Sequence, residues 1–279
     1  MTLASKYSGV IDEQFKLGSL TQAAVSTDFE WIGVNTIAAY SIETSGMNDY
    51  SFGTTLWPMV QGRFGNVNEL GQTVQYMTVM KDRSFTFTID AKNDQDTQGA
   101  MKAKNALKQQ MDVVVIPEVD KYRLSVMSAS AIANGQSTTA AITTDNAYSS
   151  LLNGIKAQDE NKVPIMDRIA YVTPDFYLKL KQDNMFVGAS FVGKRQMING
   201  QVGLLDFTRI VKVPTDYLPA NHAFILCHPK ATIAAEKLAS YKIQESAPNI
   251  SGSLVEGRII YDCFVSDNKK QALYVHKIA

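Results

Sequence analysis

Apolar and polar residues alternate through residues 73 to 90, and a three-four spacing of apolar residues takes over from about 94 to 133. Val74, Tyr76, Thr78 and Met80 fall on even positions, whereas Phe85, Phe87 and Ile89 fall on odd ones. Successive side chains of a strand point to opposite faces, so the pattern predicts a long strand whose inward parity changes, by a bulge or bend, around Lys81-Asp82-Arg83. Downstream, Asp94-Gln95-Asp96-Thr97 offers side-chain oxygens for the unpaired amides of a first helical turn. Ala100, Ala103, Leu107, Met111 and Val114 then share one helix face, while Lys102, Lys104, Asn105, Lys108 and Asp112 lie mostly elsewhere. Pro117 lacks an amide hydrogen and crowds the carbonyl four residues back, so the helix is expected to kink or restart there. Val119, Tyr122, Val126, Ala129 and Ala133 resume the spacing and form the next predicted apolar face.

The flanking segments read differently. Residues 1 to about 30 space Tyr7, Val10, Ile11, Phe15 and Leu17 between polar residues, as an arm that lies on another surface would. Trp31 to Ile42 is β-branched and aromatic enough for a strand. The chain then turns rich in Gly, Asn, Thr and Ser, yet Tyr50, Phe52, Leu56, Trp57, Met59, Val60 and Phe64 are strewn through it. A long loop inside a compact domain is uncommon unless it is functional, and exposed aromatics at this density mark an interface. Asn134 to Thr144 reads as a connection into an inserted α/β unit. Within that unit a helix capped by Asp145 runs to about Gln158, Ile169–Val172 is a short buried strand, and Pro174 opens a helix through Leu180. Val202–Val213 and Ala223–Cys227 are predicted strands and Pro229–Leu238 a short helix. Arg258–Val265 and Ala272–His276, joined by Ser266-Asp267-Asn268-Lys269-Lys270, are predicted as a terminal hairpin.

Composition narrows the function classes. With 279 residues and 45% hydrophobic content the chain can bury a substantial core. Lys plus Arg equals Asp plus Glu at 27 each, which argues against a dedicated nucleic-acid or anionic-membrane binder and removes self-repulsion between copies. Cys227 and Cys263 have neither disulfide-framework nor zinc spacing and read as buried thiols of a reducing cytoplasm. No signal peptide opens the chain, and no apolar run reaches the roughly 20 residues that span a bilayer.

Candidate chemistry is thin. His222, His228 and His276 lack metal-ligand spacing and read as structural or surface residues. Ser190, between Gly188 and Gly193, misses the spacing of a nucleophile elbow, and Gly193-Lys194 is not a phosphate loop. Asp90, Asp94, Asp96, Asp112, Glu118 and Asp120 read as helix caps and a solvated face rather than an acid–base pair, with Glu118 in a first helical turn where the dipole favours it. No catalytic residue, cofactor or metal site is predicted.

A set of strings in fixed order carries a resemblance: Thr86-Phe87-Thr88-Ile89-Asp90, Asp94-Gln95-Asp96-Thr97, Val115-Ile116-Pro117-Glu118-Val119-Asp120-Lys121-Tyr122-Arg123, His228-Pro229-Lys230-Ala231 and Glu256-Gly257-Arg258-Ile259-Ile260-Tyr261-Asp262. Together with the order of elements, they make nearly the whole chain resemble the major capsid (coat) proteins of tailed bacteriophages, the Hong Kong 97-type fold family. The resemblance implies a mixed α+β fold with an N-terminal arm at 1–30 and a first peripheral part at 31–133. The latter holds an extended β-hairpin loop at about 44–80 and a spine helix at about 94–133. An axial domain at 134–240 and C-terminal peripheral strands at 241–279 complete it.

The same resemblance implies a structural protein, not an enzyme, that self-assembles as hexamers and pentamers into the icosahedral head shell and encloses double-stranded DNA. It would be assembled in the bacterial host cytoplasm and reside in the virion, with a portal, a separate scaffolding protein and non-specific DNA contact, for which Lys102, Lys104 and Lys108 are the candidate residues. No membrane is involved. Tyr50, Phe52, Trp57, Arg63 and Phe64 are the candidate inter-subunit contacts. Some relatives weld subunits through a loop lysine, but residues 44 to 72 contain none and Lys81 lies at the loop base. An encapsulin-like nanocompartment shell is the alternative on the same fold, and a cytoplasmic α/β enzyme with an unrecognised site is the alternative of another class.

Overall fold

The computed structural model describes residues 18–27, 29–32, 35–50, 64, 69–91, 103–183, 204–244 and 251–279. Two compact units divide the chain, Phe29–Thr78 and the remainder. In the smaller unit, β1 (Glu30–Trp31), β2 (Thr36–Ile42) and β3 (Gln72–Thr78) form an antiparallel sheet in that order. The single strand expected from Trp31 to Ile42 is therefore two short ones. Ile37, Ala38 and Met77 supply its buried positions.

The long alternating strand is two strands in two sheets. β3 ends at Thr78, and β4 (Lys81–Asp90) joins a sheet of order β10-β11-β4, with β10 at Thr232–Gln244 and β11 at Gly252–Val265. The break falls at Val79-Met80, where the Met80 amide donates to the Asp262 carboxylate (2.9 Å) instead of continuing a ladder. No parity change is needed. Met77 and Val79 are buried and Phe85, Phe87 and Ile89 half-buried, all on odd positions, whereas even-numbered Tyr76 and Met80 are exposed.

The predicted restart at Pro117 takes a definite form. α1 (Ala103–Gln110) passes through a π-helical turn, Met111–Val115, into α2 (Ile116–Ala133), with Pro117 in the first turn of α2. A π turn inserts a residue and rotates the face that follows, so Val115 is buried and Val114, expected inside, is exposed. Beyond it, the inward face is Asp120, Arg123, Leu124, Met127, Ser128 and Ala131. Ala129 and Ala133, expected to be apolar anchors, are exposed, and Tyr122 and Val126 lie at the margin. The predicted Asp94–Thr97 cap lies outside the described residues.

A six-stranded sheet of order β5-β12-β9-β6-β8-β7 forms the second framework of the larger unit. Its strands are β5 (Ser137–Thr139), β6 (Ile169–Val172), β7 (Leu204–Leu205), β8 (Thr208–Lys212), β9 (His222–Cys227) and β12 (Tyr274–Lys277). Strands buried on both faces read as continuous apolar runs, and β6 and β9 are buried throughout. Alternation splits them between two cores: Tyr171, Ile225 and Cys227 pack with Leu124, Met127 and Ala131 of α2, while Ala170, Val172, Phe224 and Leu226 pack with α3 (Ala147–Glu160) and α4 (Pro174–Gln182). The approach of α3 depends on Gly154, where an added Cβ would stand 2.6 Å from Leu226 Cδ1. Thr173 caps α4 by accepting the Phe176 amide (3.3 Å), as a threonine before a proline-led helix should.

Two further expectations are corrected. Pro229–Leu238 is not a helix: a 3-10 turn, Pro229–Ala231, leads into β10, whose residues from Thr232 pair with β11 through a bulge between Glu236 and Leu238. That ladder outweighs the local helical spacing. Nor do the last two strands make a hairpin, because the 3-10 segment Asp267–Ala272 carries the chain from β11 into the other sheet. Asn134–Thr144 contains β5, which pairs parallel with β12, and α3 starts after Asn146 rather than at an Asp145 cap.

Candidate assembly surfaces

Four places stand out, beginning with the polar core that fixes the N-terminal segment to α2. Asp120, fully buried, accepts from Ser19 Oγ (3.0 Å), the Leu20 amide (2.8 Å) and Thr21 Oγ1 (2.5 Å). Arg123 Nη1 donates to Thr21 Oγ1 and Gln22 Oε1, both at 3.3 Å, and Tyr171 Oη donates to the Leu20 carbonyl (2.9 Å). A buried carboxylate survives only when its lone pairs are filled, and here residues 19–21 fill them. Ser26 then joins β10 through a parallel bridge to Ile233. Asp120 is thus no part of a solvated face, contrary to the expectation from its acidic neighbours.

The second place is Asp262, on β11 beside the start of β4. Beyond the Met80 amide it accepts from Tyr122 Oη (2.7 Å) and the Cys263 amide (2.8 Å), and Lys81 Nζ lies 5.0 Å from the Tyr122 ring centre. Burial first, then the bond to Asp262, pushes the Tyr122 phenol well above its ordinary range. Nearby, Glu118 pairs with Arg83 (2.7 Å) on the exposed side of the helix–sheet junction, and Arg258 pairs with Asp82 across the ladder.

Third, the smaller unit presents an apolar face of its own. Tyr40 is paired with Val74, Ile42 with Gln72 and Ala38 with Tyr76, so these side chains share one side of the sheet. Ile42 and Tyr76 are 76% and 66% exposed, and Tyr40 is exposed as well.

Fourth are the loop aromatics. Tyr50 and Phe64 meet edge to face with ring centres 5.0 Å apart, and Asn48 Nδ2 donates to the Phe64 carbonyl (3.3 Å). Both rings are exposed. Phe52, Trp57 and Arg63 lie outside the described residues, as do Lys102 and the stretch Gly188 to Gly203; Lys104 and Lys108 are exposed on α1.

The titratable groups are placed as structure. His222 bonds Ser128 Oγ through Nε2 (2.7 Å) and the Ala220 carbonyl through Nδ1 (2.8 Å). His276 Nε2 donates to the Ala140 carbonyl (3.2 Å), and its ring stacks on Phe224. Cys227 and Cys263 are buried free thiols, each pushed by burial up to about 12 and so unreactive near neutrality. Among the described residues no three His, Cys, Asp or Glu side chains converge on a common point, and no helix is long and apolar enough to cross a membrane.

Solved phage structures share this architecture from end to end. A chain from the capsid structure of Cyanophage P-SCSP1u matches with a TM-score of 0.77 at 14% identity, covering 100% of this chain and 93% of its own. A chain of Mycobacterium phage Che8 gives 0.74 at 15% identity, over 99% and 97%. A chain from the asymmetric unit of the bacteriophage PhiM1 mature capsid gives 0.69 at 14%, over 98% and 91%. No protein-family model matches the chain, and no curated protein matches its sequence. At such identity the likeness is one of architecture, and it spans nearly the whole chain: the chain has the mixed α+β, Hong Kong 97-type fold of phage capsid structures.

Proposed function

We propose that this chain is the major capsid protein of a tailed bacteriophage, a structural subunit that self-assembles as hexamers and pentamers into the icosahedral head and encloses double-stranded DNA. The observation that carries this reading is the match to phage capsid chains over more than nine-tenths of both lengths. Neutral net charge and exposed apolar faces support self-association: copies do not repel, and a partner surface covers what one subunit leaves in water. The N-terminal arm is residues 1–30, the extended loop about 44–80 and the spine helix about 94–133. The axial domain is 134–240, with peripheral strands at 241–279.

In this reading Tyr50, Phe52, Trp57, Arg63 and Phe64 contact neighbouring subunits, a portal and a separate scaffolding protein take part in assembly, and Lys104 and Lys108 lie toward packaged DNA. Assembly occurs in the host cytoplasm and the product is a virion component, with no catalytic step.

Electron microscopy and sedimentation velocity on the full chain, alone and co-expressed with its genomic neighbours, test the reading. Closed shells or capsomer rings are expected, and a persistent monomer with the neighbouring genes supplied overturns it. A nanocompartment shell would instead be found holding a cargo enzyme.

A further inference from the structure

Backbone strain is concentrated at one end of the six-stranded sheet. Of the five non-glycine residues with left-handed φ among the described residues, four sit on two turns: Lys162 (57°) and Asp167 (64°), then Asp206 (44°) and Phe207 (60°). The first turn links α3 to β6. The second is the two-residue hairpin between β7 and β8, with Leu205 opposite Thr208. β6 and β8 are parallel neighbours with Ile169 opposite Arg209, and the Arg209 amide donates to the Arg168 carbonyl (2.7 Å), so both turns lie at the same sheet end.

Each turn holds apolar side chains in water. Ile165 and Met166 are 54% and 60% exposed between the two left-handed residues of the first turn, and Phe207 is 54% exposed at the tip of the second. A bulky residue is disfavoured at positive φ, and a two-residue hairpin is best served by Asn-Gly.

The first turn is also held rigid. Arg168, 1% exposed, donates from Nε to the Pro164 carbonyl (2.9 Å) and from Nη2 to the Val163 carbonyl (2.6 Å), and its Nη1 pairs with Asp159 (2.7 Å). A buried arginine spent on two loop carbonyls keeps Ile165 and Met166 where they are, and pre-organised contacts lose less entropy on docking.

Charge identifies the occupant. The two turns carry exposed Lys162, Asp167, Asp206 and Arg209 beside the three apolar side chains, and exposed Lys230 follows β9 at the same sheet end, so both signs are present. A polyanion or an acidic protein would meet two repulsive groups, whereas a second copy of the same patch, rotated about an axis, brings bases to acids. We propose that this sheet end is a contact between copies of the chain, with Phe207, Ile165 and Met166 as its apolar knobs and the charges of both signs as its rim. The proposal rests on the capsid reading and deepens it by naming the residues that meet.

The test replaces the strained hairpin with the pair its geometry prefers, Asp206→Asn with Phe207→Gly, in the full chain co-expressed with its genomic neighbours. Strain relief keeps the subunit folded, so its thermal midpoint is expected to stay or rise, while the assembled fraction by sedimentation drops about tenfold. Ile165→Ser with Met166→Ser, in a turn still clamped by Arg168, is expected to do the same without strain relief. If either pair leaves wild-type shell yield while wild type assembles, the sheet end is no contact and the capsid reading stands. If wild type itself never assembles, the capsid reading falls first and takes this contact with it.

Discussion

Phe85 lies flat across Gly257. The two are cross-strand partners, and a Cβ on residue 257 would stand 2.3 Å from Phe85 Cζ. Tyr241 is paired with Gly257 from the other side, and the Phe85 and Tyr241 rings stack over the glycine with centres 6.3 Å apart. The glycine in the Glu256–Asp262 string is therefore there for the rings stacked above it, of which Phe85 shares a cavity with Val114, Val115 and Val119 of the helical segment.

Gly257→Ala is expected to destabilise the unassembled subunit by about 1–3 kcal/mol, because the ring can yield only by leaving its stack. Urea unfolding of the subunit measures it. In a Phe85→Leu background the cost should shrink markedly, since the clashing atoms are gone; an undiminished cost would show that backbone conformation, not the ring, excludes alanine.

Asp120→Asn tests the anchor of the N-terminal segment. An amide in place of the carboxylate sets a donor against donors from Ser19, Leu20 and Thr21. Loss of charge-assisted bonds is expected to cost about 1.5–3 kcal/mol. The Leu20 amide, which donates to this carboxylate, should then exchange about tenfold or more faster in hydrogen-exchange measurements. Unchanged exchange at Leu20 would mean that Ser26 and Tyr171 hold the segment unaided.

Local pattern carried the parts of the fold that are locally decided. β6 at Ile169–Val172, β9 and the proline-led α4 are short, strongly typed segments, and they lie where their residues place them. The restart at Pro117 was legible for the same reason. Misreadings fall where distant partners decide: β10 has helical spacing but is captured by β11, and the π turn exchanges Val114 for Val115. Asp120 looked like part of a solvated face because nothing in its neighbourhood tells that Thr21 will satisfy it, and the burial of Arg123 and Arg168, met by Gln22 and the Val163 carbonyl, left no mark in the local pattern either. Of the candidate contacts, Tyr50 and Phe64 were named because they crowd a loop without a local core, and the structure shows the two rings exposed and meeting edge to face. The turns at Ile165 and Phe207 gave no signal, since left-handed φ at Lys162, Asp167 and Phe207 is invisible in residue type.

Subunit stability should fall as pH drops below about 6.5. Burial lowers the pKa of His276 and His228 below the ordinary imidazole value of 6.5, against weaker opposing contributions from the Ala140 and Met166 backbone. His228 also faces Asp167, which raises its pKa, and Lys230 and Arg168, which lower it. Above 6.5 both rings are neutral, folded or unfolded, and their contribution is fully present. As pH falls through 6.5 toward the lower folded values, the unfolded chain binds the extra protons and stability is lost. Urea midpoints between pH 7.5 and 5 for wild type and for His228→Gln with His276→Gln should show a shallower slope in the variant; equal slopes would assign the pH dependence to other groups.

The even-numbered residues of β3 make the most direct test of assembly. Their alternation, with Val74 and Tyr76 apolar, would ordinarily mark a buried face, yet Tyr76 and Tyr40, the cross-strand partner of Val74, stand in water. A pattern that says inside, on a face that is outside in one subunit, is what an interface face looks like before assembly. Tyr76→Ser should therefore leave the unassembled subunit's melting midpoint within about a degree, since an exposed side chain contributes within about 0.5 kcal/mol to folding. It should lower the yield of closed shells by about tenfold, because buried aromatics concentrate interface energy. Thr73→Ser, on the opposite face of β3, is the control and should leave yield unchanged. Normal shells from Tyr76→Ser would mean that no neighbour covers this face, and would leave its alternation without an explanation in assembly.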